Sequence, residues 1–185
     1  MALMTRGGTS QPARLAVLVA TVLGATVLSG CVAVPHPAPL ASAPRFAAID
    51  FFTGPAEGHA SLKVIFGKRH RVIVHGLGRV GADGILVLDQ TVEEAGKPPK
   101  QRQWRISEIR PDHYAGSLTD ATGGVTGETN GNHLHLRFTM KGGLDTQQYL
   151  TLAPDGQSAR NILVVRKWGL TLAVLDETIR RVGAP

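Results

Sequence analysis

The sequence predicts an all-β domain: an antiparallel meander of eight to ten strands closed as a barrel. Two observations support this prediction. Apolar and polar residues alternate with a period of two in several runs, as in strands with one buried face. Short groups of Gly, Pro, Asp and Lys interrupt these runs at regular intervals, as expected for hairpin turns. A meander of this size avoids exposed edges by closing on itself, and a two-sheet sandwich is the alternative.

The clearest alternation lies at His133–Met140, where Leu134, Leu136 and Phe138 share one face. In the run 101–110, Trp104 and Ile106 share a face in the same way. Both patterns predict strands that are buried on one side only. Further strand candidates are 71–80, 85–92, 147–152, 159–166 and 170–180, and the turns between strands fall at 67–68, 82–84, 96–99, 111–112, 142–143 and 154–156.

The size of the predicted barrel leaves two options for its interior, because eight to ten strands enclose either packed side chains or one small ligand. The chain has 22 glycines, and only 5% of its residues are aromatic. Glycines at the strand positions 76, 78, 116 and 127 suit sharply coiled strands. Few large side chains then remain to fill the middle, so we expect a cavity.

The segment 1–30 has the features of an export signal. Arg6 and Arg14 are followed by a stretch without any charged residue up to Val34, and within it stands Leu28-Ser29-Gly30-Cys31. This tetrapeptide resembles the lipobox of bacterial lipoproteins, in which small residues precede an invariant cysteine. The resemblance predicts that residues 1–30 are a signal peptide, cleaved between Gly30 and Cys31, and that Cys31 carries the lipid.

The alternative for this segment is an uncleaved anchor, because about 20 apolar residues can span a bilayer. Either anchor tethers the domain to a membrane. Two or three acyl chains, palmitate among them, would hold it stably, since each buried methylene contributes about 0.8 kcal/mol. Val32 stands where an aspartate retains Gram-negative lipoproteins at the inner membrane. By resemblance to that sorting rule, we expect a cell-envelope protein on the periplasmic face of the outer membrane.

Residues 31–44 are predicted to form the acylated cysteine and a proline-rich tether. Four prolines fall within 32–44, and they disfavour both helix and sheet. At about 3.1 Å per residue, such a tether could hold the domain up to roughly 40 Å from its anchor. The β-barrel domain is predicted to occupy residues 45–185.

Composition excludes several classes of function. Cys31 is the only cysteine, so the exported domain has no internal disulfide, no thiolate metal site and no cysteine nucleophile. The formal charge of the whole chain is +6, and the leader contributes two of its basic residues. The remaining charge is mild and does not indicate nucleic acid as a partner.

The stretch from Phe51 to about Arg181 resembles an uncharacterised family of bacterial lipoproteins, domain of unknown function 3833. The resemblance implies a calycin or lipocalin-like barrel, and it departs from the family pattern at 150–155, where an acidic segment is expected. The residues that carry it are Phe51-Phe52-Thr53-Gly54, Gly58, Phe66-Gly67-Lys68, Leu86-Val87-Leu88-Asp89, Trp104-Arg105-Ile106, Tyr114-Ala115-Gly116, Asp120, Gly127, Gly131-Asn132, Asn161, Lys167-Trp168-Gly169 and Glu177.

Catalytic and metal-binding patterns are weak. His133 and His135 share a strand face and could supply two metal ligands, with His75, His113 or Glu128 as a third, since zinc needs three or four. The pair lies opposite the apolar face, so an exposed polar face is the simpler interpretation. No nucleophile elbow or phosphate-binding glycine loop occurs. We therefore expect no cofactor, no metal and no enzymatic activity. We interpret Asp120, Asn132 and Asn161 as turn-holding residues, and the basic run 68–71 as a solvated hairpin end.

The function expected from the sequence is non-enzymatic binding of a small apolar or lipid ligand inside a membrane-anchored barrel. Large aromatic residues could line such a cavity or its mouth. An envelope scaffold with a solid barrel is the alternative, and an enzyme of lipid metabolism that uses Asp120 or a histidine is a third possibility. The candidate ligand-binding residues are Trp104, Tyr114, Phe138, Tyr149 and Trp168.

Overall fold

The computed structural model describes residues 32–183, which form ten antiparallel strands closed into one barrel. This confirms the predicted all-β class, the meander and the strand count. No helix among these residues has the length and apolar character needed to cross a bilayer. The elements are α1 (Ala48–Phe52), β1 (Gly54–Val64), β2 (His70–Val80), β3 (Leu86–Glu94), β4 (Lys100–Arg110), β5 (His113–Leu118), β6 (Val125–Asn130), β7 (His133–Met140), β8 (Leu144–Leu152), β9 (Ser158–Lys167) and β10 (Leu170–Arg181).

The barrel closes between its first and last strands. β1 pairs with β2 on one side and with β10 on the other, in a register that runs from Ala56↔Arg181 to Val64↔Ala173. Every other strand pairs with its neighbours in sequence. The sandwich alternative is therefore wrong, and each described strand has its backbone groups paired on both sides, which removes the aggregation risk of a free edge.

Alternation positions the side chains as predicted in β4 and β7. Trp104, Ile106, Leu134, Leu136 and Phe138 are all buried. Three strands and the short helix were not among the runs selected from the sequence. β5 and β6 are only six residues long, and β1 has few large apolar residues, so their alternation is weak.

The two ends of the barrel differ. The end that holds α1, here the α1 end, is plugged by Phe46, Phe51 and Phe52, whose neighbouring ring centroids lie 5.0–5.1 Å apart. Gly78 admits this plug, because a Cβ there would clash with the carbonyl oxygen of Phe52. The opposite end, here the far end, is formed by the turns 65–69, 95–99, 119–124, 141–143 and 168–169.

Residues 32–44 lie along the outer wall of the barrel, and we name this segment the strap. Val32 is buried in a cluster with Ile162, Val164 and Val174 on β9 and β10. At the other end of the strap, the Ala41 backbone amide donates to Asn132 Oδ1 at 2.7 Å. The Asn132 backbone amide donates to the Ala41 carbonyl at 2.9 Å.

Residues 32–44 contain no helix or strand, as expected for the proline-rich segment, and contacts at both ends hold them against the wall. Proline disfavours helix and sheet but does not prevent an extended segment from packing on a sheet. Cys31 and the predicted signal peptide, with its cleavage site between Gly30 and Cys31, lie outside the described residues.

Candidate functional site

A polar cluster lies inside the barrel on the wall formed by β8, β9 and β10. Asn161 Nδ2 donates to Glu177 Oε2 at 2.8 Å and to Gln148 Oε1 at 3.4 Å. All three side chains point inward and belong to buried residues. Asn161 Oδ1 is buried and has no hydrogen-bond partner within the described chain. Such an atom costs free energy unless something satisfies it, so it identifies the cluster as a candidate binding site.

Burial raises the pKa of the Glu177 carboxyl, and the Asn161 hydrogen bond and the charge of Arg102 oppose this rise. Burial has the largest effect because a desolvated carboxylate is costly. Gly58 on β1 provides the space for this carboxyl, since a Cβ at position 58 would clash with Glu177 Oε1. The arrangement favours a neutral carboxyl group that can donate a proton or a hydrogen bond.

The facing wall, from β3 and β4, presents a cation beside an aromatic ring. Arg102 Nε donates to Gln90 Oε1 at 2.7 Å, and Trp104 Nε1 donates to the same oxygen at 2.8 Å. The guanidinium carbon lies 5.9 Å from the centroid of the Trp104 ring. This separation is within the range of a cation–π contact.

Arg102 lacks a close acidic partner. Burial lowers its pKa, and the charges of Glu177 and Asp120 oppose this effect. Arginine nevertheless stays protonated in proteins. Among the described residues, no carboxylate oxygen lies within 4.0 Å of its nitrogens. The barrel therefore contains a cation with free hydrogen-bonding capacity.

The cavity between these two walls has a volume of about 40 Å³. That space holds at most a few water molecules, since about 10–15 Å³ of such a volume is enough for one. Its apolar lining includes Leu86, Leu88, Trp104, Tyr114, Leu134 and Ile179.

The expectation that inward glycines leave an unfilled space is wrong, because neighbouring groups occupy that space. The carboxyl of Glu177 fills the space at Gly58, and the backbone of Phe52 fills that at Gly78. Leu136 and Tyr114 approach Gly127 in the same way. An inward glycine in a strand can therefore mean that a large group from a neighbouring element fills the space, and it does not by itself indicate a cavity.

Only some of the five aromatic residues proposed for ligand binding come together. Trp104 and Tyr114 line the cavity, and Phe138 packs edge-on against Trp104 with ring centroids 5.3 Å apart. Tyr149 lies on the outer wall, stacked on His135 at 4.3 Å. Trp168 lies in the β9–β10 turn at the far end and is 88% exposed.

The strap and the outer wall form a second concavity of about 450 Å³, whose lining includes Pro37, His113, Glu128, His135 and Tyr149. The last four residues form a continuous cross-strand row over β5 to β8. Burial and the charge of Arg137 lower the pKa of His135. Within residues 32–183, no group of three or more His, Asp or Glu side chains has the geometry to hold a metal ion.

Sequence reasoning missed Gln90, Arg102 and Gln148 as interior residues. The signal was present, since each stands in register with inward apolar residues on its own strand, as Arg102 does with Trp104 and Ile106. The interpretation of Asn161 as a turn residue is wrong, because it lies within β9 and points inward. Asn132 does hold a turn and also binds the strap.

A family model described as "Protein of unknown function (DUF3833)" matches residues 25–181. No curated protein matches the chain. The fold is similar to that of S-type phycobiliprotein lyase CPES from Guillardia theta, with a TM-score of 0.58 and 7% identity over 74% of this chain and 92% of that one.

Two further solved structures have the same kind of barrel. Rv2717c from M. tuberculosis matches with a TM-score of 0.54 and 15% identity over 72% of this chain and 94% of that one. A protein of the DUF3598 family from Nostoc punctiforme matches with a TM-score of 0.50 and 10% identity over 75% of this chain and 50% of that one. At these identities the likeness shows the fold alone, and it confirms the lipocalin-like barrel.

Proposed function

The chain belongs to the DUF3833 family of proteins of unknown function, and from that membership and the barrel interior we propose a non-enzymatic, membrane-anchored binding module. Acyl chains on Cys31 fasten it to the cell envelope at the periplasmic face of the outer membrane. Its barrel binds one small lipid or other largely apolar molecule through the walls that face the cavity. A polar group of that ligand meets Arg102, Glu177 and Asn161.

The observation that carries this proposal is the interior cation. Charged side chains are rarely placed inside a protein unless they are paired, because desolvation costs several kcal/mol. Arg102 is held only by an amide oxygen and a ring face, and Asn161 Oδ1 opposite has no partner in the described chain. A hydroxyl group on a ligand would satisfy both, because it can accept a hydrogen bond from Arg102 and donate one to Asn161 Oδ1, whereas an anionic group would satisfy Arg102 alone.

The present cavity limits how such a ligand enters. Pockets for drug-sized ligands measure about 300–1,000 Å³, against about 40 Å³ here. Binding therefore requires lining side chains to move apart, and the polar end of the ligand is the part that the existing space can accept.

The binding proposal is tested by native mass spectrometry and lipid extraction of the intact purified chain. We expect a bound lipid in the wild type. Arg102→Met should lower its occupancy about tenfold or more, because a hydrogen bond to a charged group contributes roughly 1.5–3 kcal/mol. Arg105→Met is the matched control, since Arg105 is an exposed residue on the same strand. A wild type without ligand, or equal losses in both variants, would overturn the proposal.

Anchoring is tested separately by labelling cells with a palmitate analogue. Label should appear on the wild type and disappear in Cys31→Ser, since the chain has a single cysteine. The lipobox resemblance and the uncharged stretch that precedes Cys31 support this part of the proposal. Label that persists in the variant would contradict acylation at Cys31.

The small cavity favours a second candidate, an envelope scaffold with a solid barrel that binds a protein through its surface. Crosslinking in cells separates the two functions. A scaffold would trap one protein repeatedly, whereas a carrier would yield no constant protein partner and would release lipid on extraction.

A further inference from the structure

Two large aromatic side chains project from neighbouring turns at the far end of the barrel. Phe66 in the β1–β2 turn is 92% exposed, and Trp168 in the β9–β10 turn is 88% exposed. The Ile65 amide donates to the Leu172 carbonyl at 2.7 Å, which joins the β1–β2 turn to the start of β10. With the exposed Val64 and Leu170 they form one apolar surface, which we name the aromatic tip.

The backbone beneath both rings is unusual. The φ angle is 59° at Phe66 and 50° at Trp168. Both values lie in the left-handed region, which bulky residues rarely adopt. Trp168 and Gly169 both have positive φ, in a two-residue hairpin where Asn-Gly would be preferred.

The third non-glycine residue with positive φ in the described chain is Asp112, a residue type that tolerates this conformation. Phe66 and Trp168 have no such tolerance. Positive φ at two exposed aromatic residues in neighbouring turns is uncommon, and it suggests a function for the rings.

The charge around the aromatic tip has one sign. Segments 63–69 and 166–170 together hold five basic residues and no acidic one. Lys68 and Arg69 are exposed, and the Lys167 ammonium lies 4.6 Å from the centroid of the Trp168 ring. Amphipathic aromatics flanked by lysine and arginine are typical of segments that enter the boundary between lipid headgroups and acyl chains.

The strap begins at this same end. Val32, the first described residue, belongs to the apolar cluster against which Ile65 packs. Cys31 directly precedes Val32 in the sequence. A lipid on Cys31 would therefore be attached beside the aromatic tip, so that both could reach one membrane surface.

We propose that the aromatic tip docks on an anionic lipid surface, with Phe66 and Trp168 inserted at the headgroup level and the basic residues against the lipid phosphates. The far end of the barrel then faces the bilayer. This inference extends the anchoring proposed above, and its test uses a signal that acylation alone does not produce.

The chain has two tryptophans, and Trp104 lines the cavity, so the fluorescence change that is lost in Trp168→Phe is the one that reports on Trp168. The intact chain is mixed with vesicles of phosphatidylcholine, with or without phosphatidylglycerol. We expect the Trp168 emission to shift to shorter wavelength and acrylamide quenching to fall with the anionic vesicles, and high salt to reverse both changes. Vesicle binding without these changes would overturn the tip proposal and leave anchoring intact.

Variants that spare the reporter sharpen the test. Phe66→Ser should lower the docked-to-undocked ratio about tenfold. The double variant Lys68→Gln, Arg69→Gln should lower the docked-to-undocked ratio about fivefold for each charge removed. The controls are Ile109→Ser, which removes an exposed apolar side chain from β4 near the α1 end, and Arg105→Gln with Arg110→Gln, which removes two exposed charges. Equal losses in the controls, or no response to either lipid, would contradict the proposal. Circular dichroism checks that every variant is folded.

Discussion

Single residues determine the character of the barrel interior. One buried carboxyl, one guanidinium and three amides stand where alternation places apolar side chains elsewhere. The inward orientation of these polar side chains follows from the period of two. Whether they are paired or free to bind a ligand depends on the side chains that face them from the opposite wall. Arg102 has no acidic partner within 4.0 Å in the described chain, and burial raises the pKa of Glu177.

Glu177→Gln gives a prediction about pH. The pKa of Glu177 is raised above its ordinary value of 4.5, so the folded chain retains the proton more strongly than the unfolded chain. The resulting stability is fully present below about pH 4.5 and is lost as the pH rises through the folded pKa. The stability of Glu177→Gln relative to the wild type should therefore increase from pH 4.5 upward and then level off.

Urea unfolding at a series of pH values measures this difference. Glu93→Gln, at an exposed position on β3, controls for the removal of a carboxylate from the surface. A stability difference between Glu177→Gln and the wild type that stays flat, or that decreases as the pH rises, would contradict a raised pKa.

Sequence patterns show which residues of the interior could be predicted. Trp104 and Tyr114 are large, stand in strand-like surroundings and were expected to line a cavity, where they do lie. Gln90, Arg102 and Gln148 stand in register with inward apolar residues on their own strands, but the sequence does not show that they meet at one site, because that requires the order and register of the strands. Tyr149 and Trp168 show the converse, since their type alone does not indicate their side of the wall.

At the scale of elements, the long amphipathic strands were predictable and the short or glycine-rich ones were not. β7 has strict alternation over eight residues, whereas β6 has Gly127 at an inward position and only one large apolar residue. The docking of the strap on the wall could not be predicted, for another reason. Composition indicates that a proline-rich segment is extended, but its docking depends on Asn132 and the β9–β10 surface, which lie far away in sequence.

Asn132→Ala should loosen the C-terminal end of the strap, where, within the described chain, only the backbone hydrogen bond from residue 132 to the Ala41 carbonyl would remain. The buried Asn132 side-chain amide accepts a hydrogen bond from the Ala41 backbone amide and donates one to the Leu152 carbonyl at 3.3 Å. Loss of these bonds should lower the free energy of unfolding by about 1–3 kcal/mol.

Hydrogen exchange of the Ala41 amide reports on the strap itself and should accelerate in Asn132→Ala. Asn130→Ala, at an exposed position two residues earlier, is the matched control and should change neither measurement. Unchanged exchange at Ala41 in the Asn132 variant would show that other contacts hold the strap.

For the whole molecule, closure of the barrel determines how well the first and last strands are protected. Pairing of β1 with β10 joins the two ends of the strand order and leaves no strand of the described chain at an edge. Amides of β1 and β10 should consequently exchange as slowly as those of β7 and β8, which lie elsewhere around the barrel. Fast exchange confined to β1 and β10 would indicate a seam that opens, as in a sandwich with free edges.

The course of the strap also limits what the protein can meet. A flexible linker would allow an anchored domain to move away from the membrane and to reach molecules elsewhere in the periplasm. If Cys31 is acylated as proposed, the contacts that hold residues 32–44 against the wall would keep the domain close to the leaflet that carries its anchor. Under that proposal its ligands would be molecules that diffuse in the same leaflet, and transfer to another membrane would need a separate carrier.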